Sequence, residues 1–284
     1  MKSCISVVVL ALCAVSATSG RQSVISYTVT TSVSEGRGQA VEGLAPADFL
    51  VRLGDTEQVV TAVARDPRPL AIVIMVDGME PSDALQIRAA LTGVMKRLRE
   101  TPGARVGLML GERGAAAPTM VDAIEGADEL NRRISRFFRA EVTAPPQDLL
   151  AGAVEALLRE ETRRRVAVVL SVNRRTDRVP IPQTLIPALR NANVTLVALE
   201  ANGIRGNTPD PALRLIQNTV GGRFEQVSDI TAFEASALRT VSSLMSAYLV
   251  TFTLAEPASG ALQVTVRNRP RATVIAPAWA SATR

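Results

Sequence analysis

The feature that most constrains this chain is an uninterrupted apolar run at residues 70–76, which ends in Asp77. A strand with one solvated face alternates apolar and polar residues, whereas a continuous run predicts a strand that is buried on both faces. Such strands belong to parallel sheets that carry helices on either side. The run therefore predicts a buried sheet strand with an acidic side chain at its carboxyl end.

Similar strand-like segments alternate with segments that have the spacing of amphipathic helices. The predicted strands that follow the first run are residues 105–110, 119–124, 166–170 and 194–199. The predicted helices are a segment capped by Ser82 or Asp83 that extends to Leu98, and residues 127–138, 147–160, 181–191, 211–220 and 230–247. Gly221-Gly222 is a typical helix C-cap signal. This alternation predicts an α/β fold with a doubly wound, mainly parallel sheet.

Both ends of the chain have β character instead. Short segments rich in β-forming residues lie within residues 24–65, and more follow at 248–254, 262–266 and 272–275. We expect the two ends to build one small β-rich companion to the α/β core. The predicted division is a signal peptide at 1–20, an N-terminal β-rich segment at 21–69, an α/β domain at 70–247 and C-terminal strands at 248–284, which pack with the N-terminal segment.

The first residues have the pattern of a secretory signal. Lys2 supplies a positive charge, residues 5–15 are mostly apolar, and small residues follow. The run is shorter than the roughly 20 residues of a membrane-spanning helix. Leu12 is bulky where a lipoprotein signal has a small residue, which argues against lipid anchoring at Cys13. We expect a secreted or periplasmic protein without stable membrane insertion; an uncleaved anchor is the alternative.

Composition excludes several functional classes. The chain has no histidine, which excludes Ser-His-Asp triads and His-ligated zinc. It also lacks the Gly-x-Ser-x-Gly nucleophile motif and any cofactor fingerprint. The net charge of +5 is not accompanied by clustered aromatic residues, so we expect no nucleic-acid binding. The sequence predicts a protein that is not an enzyme and has no cofactor, with a hydrolase using Ser or carboxylates as an alternative.

The order of the segments resembles the von Willebrand factor type A domain, in particular the related domains of secreted bacterial proteins. Three stretches carry the resemblance: residues 38–49, where a glycine-rich turn precedes a Leu…Asp-Phe element; residues 70–77; and residues 213–224, followed by a helix and a strand at 248–252. The resemblance covers most of residues 24–275. It implies a doubly wound α/β fold that serves protein interaction.

That family often binds Mg²⁺ at a metal-ion-dependent adhesion site. Its ligands come from an Asp-x-Ser-x-Ser motif after the first strand, a Thr on a second loop and an Asp after a later strand. Asp77 is the one ligand that this sequence keeps. Residues that do not match the motif stand at the other four positions: Met79, Pro81, Pro146 (or Asp148) and Val172. The resemblance thus implies a degenerate site that holds no metal ion.

Two alternatives concern the surroundings of Asp77. A rebuilt weak cation site could use Asp77, Glu80 and Asp83, which lie close together in the sequence. Alternatively, Arg174 or Arg175 replaces the missing cation by pairing with Asp77, since guanidinium groups bind carboxylates in two-pronged geometry. The two arginines are equally compatible with an ordinary solvated loop.

These inferences define a candidate binding face and a function. The face consists of polar residues expected near the carboxyl ends of the core strands: Asp77, Glu80, Asp83, Asp148, Arg174 and Arg175. We expect a metal-independent interaction module that binds a protein partner through these loops. A structural subunit of a cell-envelope assembly is the alternative.

Overall fold

A computed structural model describes residues 25–77, 83–111, 116–137, 145–172, 180–201, 210–228, 230–254, 261–279 and 281–282. The strands in these ranges are β1 (Ile25–Glu35), β2 (Gln39–Ala40), β3 (Phe49–Leu53), β4 (Thr56–Arg65), β5 (Leu70–Asp77), β6 (Arg105–Leu110), β7 (Val121–Asp122), β8 (Arg164–Ser171), β9 (Val194–Ala201), β10 (Gly221–Val227), β11 (Tyr248–Leu254), β12 (Leu262–Val266), β13 (Thr273–Pro277) and β14 (Ser281–Ala282). The helices are α1 (Ala84–Arg99), α2 (Ala127–Phe137), α3 (Pro146–Leu158), α4 (Leu185–Asn191), α5 (Pro211–Val220) and α6 (Phe233–Leu244).

The centre of the fold is a parallel sheet in the order β10-β9-β8-β5-β6. The short strand β7 pairs with β6 in the antiparallel direction and is the outermost strand on that side of the sheet. All eight residues of β5 are buried, as the apolar run predicts. The predicted doubly wound, mainly parallel α/β fold is thereby confirmed.

Helices cover both faces of this sheet. Alternate side chains of β5 point in opposite directions, so Ile72 and Ile74 pack beneath α1, α2 and α6, whereas Val73 and Met75 pack beneath α3, α4 and α5. The two apolar layers are separated by the sheet itself. This arrangement explains why the core strands are apolar on both faces.

The terminal strands form a β-rich unit that is continuous with the central sheet. In this unit β1 pairs with β11, β11 with β4, β4 with β3, and β3 with β12. The later half of β1 pairs with β13, which in turn pairs with β10 of the central sheet. A third apolar cluster lies within the unit, where Tyr248 donates a buried hydrogen bond of 2.6 Å to the carbonyl of Val41.

The connection between the two parts depends on Gly221 and Gly222. Their φ angles are +81° and +99°, in the region that favours glycine. A Cβ at Gly222 would lie 1.7 Å from the carbonyl oxygen of Leu196, and one at Gly221 would lie 2.0 Å from the amide nitrogen of Ala278. The pair thus ends α5, as its sequence predicts, and also lets β10 fit closely between β9 and β13.

Several elements differ from their predicted extents. The predicted strand at 119–124 is only two residues long, because the Asp122 carboxylate accepts the backbone N–H groups of Ile124 and Glu125 and turns the chain. Helix α4 begins at Leu185, and Pro187 is accommodated in its first turn, where backbone N–H groups have no partner within the helix. Strand β10 was not predicted.

The predicted signal peptide lies outside the described residues. None of the helices in the described ranges combines the length and apolarity that crossing a bilayer requires.

Candidate functional site

Four polar residues form one lateral row at the carboxyl ends of neighbouring parallel strands. Strand register pairs Asp77 of β5 with Ser171 of β8, Ser171 with Glu200 of β9, and Glu200 with Gln226 of β10. Residues paired in this way project from the same face of the sheet, here the face covered by α3, α4 and α5. The first three are almost fully buried, whereas Gln226 is exposed.

Asp77 is built into the sheet edge. Its side chain is fully buried, and the Ser171 hydroxyl donates to its Oδ2 at 3.4 Å. The backbone carbonyl of Asp77 accepts the N–H of Val172 at 3.1 Å, which holds β5 and β8 together up to their ends. A buried carboxylate is costly unless it is hydrogen-bonded, so these contacts fix the position of Asp77.

Glu200 connects the end of β9 to the beginning of α5. Both of its carboxylate oxygens accept the backbone N–H of Asp210, at 3.1 Å each. The Asp210 carboxylate in turn caps α5 by accepting the N–H groups of Ala212 and Leu213. Glu200 is therefore an anchor for the helix at this edge.

The environment of Glu200 also changes its acidity. Burial raises the pKa of the Glu200 carboxyl to about 7, although the Asp210 N–H favours the charged form. At neutral pH the group is divided between protonated and ionised forms. It could accept a proton, but its two oxygens already hold the Asp210 N–H, which supports a positioning role for this residue.

The beginning of α3 lies at the same edge. Pro145 is extended and Pro146 occupies the first helical position, a position that tolerates the missing N–H of proline. The buried Gln147 side chain donates to the carbonyl of Pro180 at 3.5 Å, so the helix start lies beside the segment that follows β8. Asp148 is exposed in the first turn, where the helix dipole favours a negative charge.

The residues at this edge do not fit the metal site that the resemblance suggests. A magnesium ion requires an octahedral set of oxygen ligands, whereas the Pro146 and Val172 side chains have no oxygen. Asp77 and Glu200 stand on strands two positions apart, a backbone separation of about 10 Å at about 4.8 Å per strand. Across the described ranges, no group of three His, Cys, Asp or Glu residues has the arrangement of a metal site.

The predicted site residues are only partly described. Asp77 ends β5, the buried Asp83 precedes α1, and Asp148 lies in the first turn of α3, all at the carboxyl edge. Asp83 occupies the N-cap position, but its side chain makes no capping hydrogen bond. Glu80, Arg174 and Arg175 lie outside the described residues, so the rebuilt cation site and the pairing of an arginine with Asp77 stay predictions.

Glu200 was missed by the sequence reasoning. The signal was present, because the apolar segment of β9 ends in Glu200 just as the apolar segment of β5 ends in Asp77. An acidic residue at the end of a buried parallel strand is placed at the edge where α/β proteins bind ligands. Glu200 would have been identified if the residue that ends each apolar core strand had been considered.

Comparison with known proteins gives a result at the level of fold. No protein-family model matches the chain, and no curated protein matches it either. A von Willebrand factor type A structure from Catenulispora acidiphila superposes with a TM-score of 0.51 and 13% identity, over 91% of this chain and 73% of that chain.

Two other structures are similar with lower scores. The conserved hypothetical protein BatB from Bacteroides thetaiotaomicron has a TM-score of 0.42 and 14% identity, over 62% of this chain and 98% of that chain. An aerotolerance-related membrane protein from Bacteroides fragilis has a TM-score of 0.41 and 11% identity, over 61% of this chain and 98% of that chain. At such identities the likeness concerns the fold alone.

Proposed function

From its von Willebrand factor type A fold, we propose that this protein is an exported, non-enzymatic protein-interaction module. It binds its partner without a metal ion, through the segments that follow β5, β8 and β9 and through the exposed Asp148 in the first turn of α3. The observation that carries this proposal is the row of Asp77, Ser171 and Glu200, which anchors the carboxyl edge from which all three loops leave.

The chemistry of the loops points to an acidic partner surface. Residues 173–179 contain three arginines and residues 202–209 contain one more. Arginine is enriched at the centres of protein interfaces, where its guanidinium group pairs with carboxylates in two-pronged geometry. We infer that these arginines supply attraction at a site where the family's cation would otherwise bridge to the partner.

The test is capture of a partner from cell-envelope extract by the immobilised chain, with mass spectrometry and a quantitative binding assay for the captured protein. Reversing the charge of Arg174 and Arg175 together, as R174E/R175E, is expected to weaken binding at least tenfold. Asp148→Arg tests the beginning of α3 and is expected to strengthen binding, because it replaces a negative charge with a positive one on the face that meets an acidic surface. EDTA is expected to leave binding unchanged.

Asp128→Arg is a matched control for Asp148→Arg. Asp128 is also exposed in the first turn of a helix. That helix, α2, begins after β7 at the amino ends of the parallel strands, whereas α3 begins at their carboxyl ends. Both substitutions remove a similar dipole interaction, of about 0.3–1 kcal/mol, so a difference between them reports on location. Loss of binding in EDTA, or an equal change of affinity in both variants, would contradict the proposal.

A further inference from the structure

A second polar site lies at the opposite, amino edge of the parallel sheet. It is a cavity of about 80 Å³ at the junction of the central sheet with the β-rich unit. Its walls contain four arginines together with hydroxyl and amide side chains: Arg68, Arg163, Arg164, Arg165, Thr30, Ser32, Thr195 and Asn193. Polar cavities of this size hold several water molecules or one small ion.

Arg164 is the most constrained of these arginines. Its residue is only 7% exposed, and its side chain donates to three backbone carbonyls, those of Arg68, Leu244 and Met245. Leu244 and Met245 are at the carboxyl end of α6, whose dipole supplies only a partial negative charge of about −0.5. Burial lowers the pKa of the Arg164 guanidinium, and the nearby negative charge of Asp66 opposes this shift.

Arg165 is also held by backbone carbonyls, with the charges of Glu160 and Glu161 nearby. It donates to the carbonyls of Glu160, Ala192 and Leu158. Among the described residues, neither Arg164 nor Arg165 forms an ion pair with a carboxylate. A guanidinium group has five N–H donors, and the hydrogen bonds above, which are those among the described residues, use three of them in each arginine.

The other charges near the cavity largely cancel. Arg68 forms a two-pronged pair with the buried Asp66, at 2.9 and 2.6 Å. Arg163 pairs with Glu160. Glu161 is the one carboxylate in the cavity wall, and it is exposed. The cavity therefore carries about one excess positive charge, and the burial of an uncompensated cation is unfavourable.

We propose that this cavity binds a phosphate group, either as inorganic phosphate or as the phosphomonoester of a small molecule or lipid. Residues that carry guanidinium or hydroxyl groups line the cavity from β1, β8 and β9, and such donors suit an oxyanion that accepts several hydrogen bonds. The bound anion supplies the missing negative charge beside Arg164. The site is independent of the partner-binding face, because it lies at the other end of the strands.

The experiment measures the Tm of the full chain in sodium phosphate and in sodium chloride of equal ionic strength, and measures affinity by calorimetry. At a phosphate concentration about tenfold above the dissociation constant, phosphate is expected to raise the Tm by about 3 °C. Co-sedimentation with vesicles that contain phosphatidic acid, compared with vesicles of phosphatidylcholine alone, distinguishes a lipid headgroup from free phosphate.

Asn193→Asp is the decisive variant. Asn193 is exposed in the cavity wall with a φ of +53°, a conformation that Asn and Asp tolerate. The substitution adds a carboxylate of nearly the same shape and is expected to weaken phosphate binding at least tenfold. Thr195→Asp, on β9, is a second variant with the same expectation.

Arg159→Gln is the control, since Arg159 is an exposed arginine that pairs with Glu155 away from the cavity. It is expected to keep the full response to phosphate. The proposal is overturned if neither inorganic phosphate nor phosphatidic acid binds the native chain, or if both aspartate variants bind as the native chain does.

Discussion

Replacing Glu200 with glutamine is expected to remove a large part of the pH dependence of folding stability. Glu200 is 2% exposed, and burial raises the pKa of its carboxyl to about 7 from an ordinary 4.5. Between these two values the folded chain keeps the proton that the unfolded chain has lost. Since the folded state then binds more protons, the free energy of unfolding falls as the pH rises from about 4.5 to about 7.

The magnitude follows from the two pKa values. A difference of this size, at about 1.4 kcal/mol per pH unit, corresponds to about 3 kcal/mol of stability that is lost by pH 8. Glutamine stays neutral, and its side-chain oxygen can still accept the Asp210 N–H. Glu200→Gln is therefore expected to match the native chain near pH 5 and to exceed its stability by up to about 3 kcal/mol at pH 8.

Urea unfolding at pH 5, 6, 7 and 8, followed by circular dichroism, measures this difference. Glu225→Gln is the contrasting control. Burial favours a raised pKa at Glu225, but hydrogen bonds from Arg223, Ser236 and Arg239 lower the pKa overall. Its replacement is expected to destabilise the chain across this whole pH range. Parallel stability curves for Glu200→Gln and the native chain would refute the reasoning.

Three further predictions concern the fold and the metal. Gly222→Ala places a Cβ against the carbonyl of Leu196 and is expected to cost at least about 2 kcal/mol of folding stability. Gly36→Ala has nothing within 4 Å of the added Cβ and is expected to cost about 1 kcal/mol. Chemical denaturation measures both differences. Phe252→Ala removes a fully buried ring and is expected to lower the free energy of unfolding by about 3–5 kcal/mol. Val59 is 70% exposed, so Val59→Ala is expected to cost less than about 0.5 kcal/mol. Equal losses of stability would contradict the assigned core. Magnesium is expected to leave the Tm of an EDTA-treated sample unchanged, and a rise in Tm would contradict the metal-independent proposal.

The parts of the candidate site that were predictable are the residues whose position at the sheet depends only on the local sequence. Asp77 follows a strand whose apolar character on both faces already requires a parallel sheet, so its place at the carboxyl edge followed from the sequence. Glu200 follows the apolar segment of β9 in the same way and could have been found. Its raised pKa could not, because that depends on how deeply α5 and its Asp210 cap bury the carboxyl.

The cavity at the amino edge, in contrast, could not be predicted from the sequence. In the sequence, Arg163, Arg164 and Arg165 form an ordinary basic run near a helix end. The structure divides them: Arg164 donates to the end of α6, whereas Arg165 donates to the segments around α3 and α4. This division follows from strand pleating, which sends adjacent side chains to opposite faces.

The periodicity of apolar residues was sufficient to specify the class of the fold, the core strands and most of the helices. That pattern is local, because it records which faces of each element are buried. The continuity of the β-rich unit with the central sheet, the burial of Glu200 and the presence of four arginine residues in one cavity wall required the folded chain. These features depend on contacts between residues far apart in sequence, and the geometry of such contacts is set only when the elements pack together.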